Sequence, residues 1–326
     1  MAVFERILLT GGSGFVGSHL APLLADACPE ARRELLTLEM EQGPAGRWTK
    51  VRGDLLNPEM IDEAIATLRP DLVVHLAGQA SIGKALGAGE QTWRANLLGA
   101  INLASALARH APQTTMLFAS SASVYGASLN DGAARETAPL RPLDAYGRSK
   151  VAAEGVFADV LGARSRLIIA RPVNHSGPRQ SEKSFVLSSF AAQIAAIEAG
   201  RKEPVLHVGD LSKARDFLDV RDVVAAYMLL IEKAEELPNR VNCFNVASGE
   251  PHPISELLEG LRRLSTKPFE IRVEPGLLRP SAADIPSIAL DAGKLRDATG
   301  WRPRHTIDDL LQSLLEYWRG VESPGA

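Results

Sequence analysis

Two cysteines in 326 residues, Cys28 and Cys243, are too few for a disulfide scaffold, and no Cys/His spacing matches a zinc site. The expectation is a reducing, cytoplasmic setting and no metal. Charge of one sign is also lacking. Lys plus Arg number 36 and Asp plus Glu 39, leaving a net charge of −3 and no basic field to hold nucleic acid. No run of ~18 apolar residues exists that could span a membrane. The apolar run Ile7-Leu8-Leu9 is too short for a signal peptide. Aromatics are scarce at 5%, but 45% hydrophobic and 23% charged residues form an ordinary globular balance, which excludes wholesale disorder. At ~100–200 residues per domain the chain suits one large domain or two smaller ones. What it does have is 27 glycines and 20 prolines, unevenly placed.

The first half alternates short apolar runs with amphipathic stretches. Ile7–Thr10, Leu35–Leu38, Thr49–Arg52, Asp71–Leu76, Thr115–Ala119 and Arg166–Ala170 read as strands. Phe15–Ala27, Pro58–Leu68, Trp93–Arg109 and Ala145–Leu161 read as helices. Continuous apolar strands between helices predict a parallel sheet covered on both faces, an α/β doubly wound (Rossmann) fold. Residues 1–172 are expected to form this nucleotide-binding domain. Residues 173–326 are expected to form mainly a smaller, mixed α/β substrate lobe. Val205–Val208 and Cys243–Val246 are candidates to return to the large sheet.

Gly11-Gly12-Ser13-Gly14-Phe15-Val16-Gly17 follows the first strand and opens the first helix. Glycine there permits a tight turn, close approach to a pyrophosphate and close helix–strand packing. The helix N-terminus presents free N–H groups and a positive dipole end to the phosphates. An acid ~20 residues further on would hold the adenosine ribose hydroxyls. Glu39 stands there and favours NAD(H). Arg32, Arg33 and Arg47 leave NADP(H) open. Asp54 is a candidate for adenine contact or a plain turn residue.

Tyr146 and Lys150 stand at i and i+4, one turn apart on a helix. The ammonium is expected to lower the tyrosine pKa and allow proton exchange with a carbinol or carbonyl oxygen. Ser120, Ser121 and Ser123 close the fifth strand, where ligands of open α/β sheets bind. They could polarise a substrate oxygen or merely cap the strand. His75, in an apolar strand, reads as a packed residue, and His175 as a candidate for orienting a substrate loop.

Taken together, these motifs resemble the extended short-chain dehydrogenase/reductases acting on nucleotide sugars, across nearly the whole chain. Supporting stretches are His75-Leu76-Ala77-Gly78-Gln79, Asn96, Arg171 through Pro178, Val208-Gly209-Asp210, Arg215 through Val223, Asn245 through Gly249 and Leu278-Arg279-Pro280-Ser281. The likeness is greatest to the branch of GDP-4-keto-6-deoxy-mannose reductases and GDP-mannose dehydratases, nearer the reductases. It implies that Ser121, Tyr146 and Lys150 are catalytic, with Tyr146 as acid/base. Cofactor contacts are implied for Gly11, Gly14, Phe15, Val16, Gly17 and Glu39, and for Asp54, Leu55, Leu76, Ala77 and Gly78, besides Tyr146 and Lys150. Substrate contacts are implied for Ser121, Ser123, Asn174, Arg179, Arg215 and Arg279. The arginines suit a diphosphate, since guanidinium binds it bidentately.

In the dehydratases a glutamate stands two residues after the catalytic serine or threonine. Here Ser123 occupies that place, and a hydroxyl is a poor base for an α-proton. Hydride transfer to the C4 ketone of a nucleotide-linked, GDP-type 4-keto-6-deoxy-hexose is therefore the leading expectation. An NAD-dependent 4-epimerase is the alternative, because Ser121-Ala122-Ser123-Val124-Tyr125-Gly126 is close to the epimerase pattern. The resemblance also implies a homodimer through the helices at 93–109 and 145–161.

Overall fold

The computed structural model describes residues 4–38, 40, 47–80, 82–278 and 285–322. Glu39 and Arg279, both expected to bind ligands, lie outside the described residues. The strands are β1 Arg6–Thr10, β2 Arg32–Thr37, β3 Thr49–Arg52, β4 Leu72–His75, β5 Thr115–Ala119, β6 Arg166–Pro172, β7 Asn174–Ser176, β8 Val205–Val208, β9 Ala214–Asp219, β10 Val241–Val246, β11 Pro251–Pro253, β12 Glu270–Val273 and β13 Ser287–Ile288. The helices are α1 Phe15–Ala27, α2 Pro58–Leu68, α3 Ile82–Gly87, α4 Gly89–Trp93, α5 Gly99–His110, α6 Ala145–Val160, α7 Val186–Glu198, α8 Val220–Glu232, α9 Ile254–Leu264, α10 Gly293–Thr299 and α11 Ile307–Glu322.

Seven strands form one parallel sheet in the order β10-β6-β5-β4-β1-β2-β3. Their side chains alternate between two cores, as the pleat requires. Ile7, Leu9, Leu72, Val74, Leu117 and Ile168 face α1 and α8. Leu8, Val73, Met116, Phe118, Leu167 and Ile169 face α2, α5 and α6. Burying each Leu, Ile or Phe contributes roughly 1.5–3 kcal/mol, so the inner strands of a sheet covered twice are apolar on both faces, while the edge strand β3 stays polar.

Cys243–Val246 does join the large sheet, within β10 at its edge beside β6. Val205–Val208 does not. It forms β8 and pairs with β12 in a separate two-stranded sheet. Leu206 and Val208 instead pack into a third core with α7, α9 and α11. A small sheet of β11, β9 and β13, with β7 paired to β9, connects the two regions.

The expected helix at 93–109 proves longer and irregular. α4 runs into a π-helical turn over Arg94–Leu98 before α5 begins. Local chemistry sets other boundaries as expected. Asn57 Oδ1 accepts from Met60 N at 3.0 Å and Pro58 takes the first turn of α2. Among the described residues, no helix is long and apolar enough to cross a membrane.

Candidate active site

The strand order reverses direction between β1 and β4, and a crevice opens at their carboxyl ends. The glycine loop lies there. Gly11 has φ +72°, and a Cβ on it would sit 2.6 Å from Ala77 N. A Cβ on Gly17 would sit 2.3 Å from Gly11 O. Both positions therefore require glycine, for contact between backbones. Gly14 differs: a Cβ there would meet only Gly11 O, at 3.2 Å. It is the N-cap of α1 and carries no capping side chain. The first N–H groups of α1, from Phe15, Val16 and Gly17, thus face a space left bare by Gly14, which fits a pyrophosphate.

Leu76, Ala77 and Gly78 form the opposite lip. Asn96, in the π-helical turn, holds this segment. Its Oδ1 accepts from Gln79 N at 2.8 Å and its Nδ2 donates to Gln79 O at 3.1 Å. The same Nδ2 donates to Ser149 Oγ at 2.9 Å, which in turn donates to Tyr146 O at 2.8 Å. Asn96 therefore ties the cofactor lip to the helix of Tyr146. The wider turn delivers it, as π-turns often do at functional sites. At the sheet's other side, Asp54 Oδ1 accepts from Leu56 N at 2.9 Å, and Leu55 O accepts from Asn102 Nδ2 at 2.8 Å. This is the turn-residue role that the sequence left open for Asp54.

α6 starts where Asp144 Oδ1 accepts from Gly147 N at 2.7 Å, which puts Tyr146 in the first turn and Lys150 one turn on. Gly147 lets the neighbouring loop approach, because a Cβ there would lie 2.6 Å from Ser123 O. Ser121 caps the short turn Ala122–Val124, accepting from Ser123 N at 3.1 Å, and this turn packs against α6, which carries Tyr146. Lys150 Nζ donates to Ala119 O at 2.7 Å and sits over the Phe118 ring.

The electrostatics correct one expectation. Burial pushes the Tyr146 phenol up to about 12, and the Ser121 hydroxyl only partly offsets this. Lys150 is itself held down to about 8 by burial, with Glu154 pulling upward. Desolvation thus outweighs any lowering of the phenol by the ammonium. His75 is packed, as expected, against Phe118 and Phe157 and bonded to Thr10 Oγ1 at 2.7 Å. Burial and then the Lys150 charge hold it near 3, hence neutral.

A second cleft lies between α7, β8 and the turn at 275–277. It is lined by Asn174, Lys183, Val186, His207, Lys213 and Arg215, among others. Arg215 does not pair with Asp219 or Asp222. Its guanidinium donates to Ala214 O and Ile285 O, each at 2.8 Å. Asp219 holds Arg221 instead, and Asp222 holds the Arg304–His305 backbone. Asn174 and Arg215 are thus brought together, whereas Arg179, at φ +74°, stays out of this lining. α7 begins in the cleft with no capping side chain at Phe185. A helix over Phe185–Ala199 is readable from the sequence, but neither its start nor Lys183 and Lys213 was read as part of a site. The only signal was negative: no Ser, Thr, Asp or Asn stands at the cap. His175 stacks on Phe15 at 5.9 Å, tying the Asn174 loop to α1.

Arg33 and Arg47 are engaged elsewhere. Arg33 donates to Arg47 O and Pro29 O, each at 2.9 Å, and Arg47 pairs with Asp26. Both lie at the opposite end of β2 from the crevice.

A glycine loop at the switch point of a doubly wound sheet, beside Ser121, Tyr146 and Lys150, defines a dinucleotide-dependent oxidoreductase of the short-chain type. The chain belongs to the NAD-dependent epimerase/dehydratase family, which it matches over residues 7–247. The GDP-6-deoxy-D-mannose reductase of Pseudomonas aeruginosa is 36% identical over 322 residues, covering 96% of this chain and 97% of that protein. RMD from P. aeruginosa, in a structure complexed with NADPH, has a TM-score of 0.78 at 33% identity, covering 97% of this chain and 100% of that one. A Thermus thermophilus UDP-glucose 4-epimerase, in complex with NAD, has a TM-score of 0.82 at 30% identity, covering 97% and 99%.

Proposed function

We propose that this chain reduces the C4 ketone of a GDP-linked 4-keto-6-deoxy-hexose. The observation that carries this reading is the placement of Tyr146: a buried phenol in the first turn of α6, packed against the turn that Ser121 caps, with Lys150 one turn along the helix. A protonated phenol suits a step that ends by protonating an alkoxide, which is ketone reduction. A bound nicotinamide cofactor would supply the hydride. Ser121 and Tyr146 hold the C4 oxygen, and Tyr146 gives its proton as negative charge develops there. Lys150, between Ala119 O and the Gly78 lip, holds the nicotinamide ribose and eases the phenol's loss of its proton. Phe15, Val16 and Gly17 N–H groups hold the pyrophosphate. Glu39, two residues past β2, favours NAD(H), and NADP(H) is also accepted.

The second cleft supports the substrate part of the reading. An uncapped helix start together with Lys183, Lys213 and Arg215 suits a diphosphate, and Asn174 lies alongside. Arg279 would complete the anion contacts, Arg179 lying outside this lining, and Ser123 would face the sugar. The reading includes a cytoplasmic location, in keeping with two free cysteines. It includes a homodimer as well, supported by Leu98 at the end of the π-helical turn, Ile101 on α5 and Val160 on α6, all exposed.

The test mixes purified protein with GDP-, dTDP-, UDP- and CDP-linked 4-keto-6-deoxy sugars and follows NADH and NADPH oxidation. Turnover of the GDP sugar is expected; consumption of neither cofactor with any sugar would overturn the reading. The 4-epimerase reading is favoured by the TM-score of 0.82 to the Thermus enzyme. Stoichiometric NAD retained through purification would support it instead.

A further inference from the structure

A buried ion pair lies directly behind the Ser121–Tyr146 pair. Arg171, on β6, donates to Glu154 on α6 through Nε at 3.0 Å and a terminal nitrogen at 2.6 Å. Both side chains are 7% exposed. Glu154 Oε1 also accepts from Ser120 Oγ at 2.5 Å. The other terminal nitrogen of Arg171 donates to Tyr125 OH at 2.9 Å, and that hydroxyl donates to Asn245 Oδ1 on β10 at 2.6 Å.

Replacing a buried ion pair with apolar side chains is often neutral or stabilising, so stability alone does not account for this one. Its contacts do. Ser120 immediately precedes Ser121. Tyr125 ends the turn that Ser121 caps. Glu154 lies one turn beyond Lys150 on the same helix, and Lys150 itself grips Ala119 O. Two adjacent residues of the β5 end, Ala119 and Ser120, are thus held from α6 by two side chains four residues apart. Arg171 and Tyr125 hold the far end of the same loop.

We propose that Glu154 and Arg171 are positioning residues for the reaction: with Ser120 and Tyr125 they clamp the segment 119–125 to α6 and so set the Ser121–Tyr146 geometry. This rests on the reductase reading of Ser121 and Tyr146. A misplacement of about 1 Å between reacting groups can lower turnover ~100-fold without weakening binding. The clamp touches neither cleft, so its loss is expected in kcat rather than in ligand affinity.

The experiment compares wild type, the paired apolar replacement Glu154→Leu/Arg171→Met, and the milder Ser120→Ala and Tyr125→Phe. Wild-type cofactor oxidation with the GDP sugar comes first. If it is absent, the reductase reading fails and the clamp is then judged by whichever activity the wild type shows. With activity present, the paired variant is expected to keep wild-type dissociation constants for cofactor and GDP, measured calorimetrically. Its KM is expected to stay within twofold while kcat falls ~100-fold. Ser120→Ala and Tyr125→Phe should lose about 3- to 10-fold in kcat, and restoring Glu154 alone in the paired variant should not rescue it. If the paired variant does not fold, the two milder variants decide. A folded paired variant with kcat within threefold of wild type, or milder variants at full kcat when the paired one is unfolded, overturns the proposal. So does a loss that falls equally on the dissociation constants.

Discussion

Tyr146 and Lys150 are each less ionised here than in water, and the reason is the same for both. Both side chains are buried before any ligand arrives, so each charged form is disfavoured. For Lys150 this has a sign that can be measured. Below pH 8 the folded protein carries a buried ammonium, whereas the unfolded chain carries a hydrated one up to about 10.5. The unfolded state binds more protons between those values, so this penalty is full below pH 8 and fades as pH rises to 10.5. Lys150→Met should therefore stabilise the ligand-free fold at pH 7 by about 1–3 kcal/mol in urea unfolding, with most of the gain gone by pH 10. Turnover should be lost in the same variant. Tyr146→Phe separates chemistry from binding differently: kcat should fall about 10²- to 10⁴-fold while the cofactor dissociation constant stays within threefold. These residues were legible because their spacing is chemical. Glu154 and Arg171 were not read as a pair, because 17 positions separate them in the chain and only the β5–β6–α6 packing brings them together.

Among the elements, those with local signals were the readable ones. α2 carries its own cap and proline, and α6 its Asp144 cap. The π-helical turn at Arg94–Leu98 had no such signal, because nothing in a run of apolar and polar residues tells a wider turn from an ordinary one. β7, β11 and β13 span three, three and two residues, too short for a period to show. They exist because β9 offers them partners. α7 and α11 illustrate the same non-local dependence in a measurable way. Glu198 on α7 accepts two hydrogen bonds from Arg319 on α11, at 2.7 and 2.8 Å, and Arg319 holds its carboxyl down to about 2. A carboxylate with a depressed pKa contributes stability that is present above its ordinary value of 4.5 and lost as pH falls toward 2. Glu198→Gln should cost about 1–3 kcal/mol at pH 7, and its deficit against wild type should shrink on acidification through that window.

At the scale of the molecule, the doubly wound sheet was legible from alternating apolar strands and helices, since both faces of each strand must be covered. The membership of β10 was readable and that of β8 was not. Both are short apolar runs, and only the lobe's own core at α7, α9 and α11 decides that β8 packs there. The molecule's outer surface yields a further prediction. Leu98 and Ile101 stand three residues apart across the start of α5, at 36% and 39% exposure. If they sit in a dimer seam, Leu98→Glu/Ile101→Glu should halve the mass seen by light scattering, with the far-ultraviolet spectrum unchanged. A wild-type protein already at monomer mass at micromolar concentration would refute the seam.

The place of β10 has a consequence for how the chain is made. Its neighbour β6 ends at Pro172 and β10 begins at Val241, about 70 residues later. At roughly 5–20 residues per second on a ribosome, β6 would stand for about 4–14 s as an unpaired sheet edge. Such an edge is a template for misassociation. A nascent chain stalled in that interval should be the form most in need of a chaperone. A fragment ending near residue 172 should aggregate although it holds the whole glycine loop.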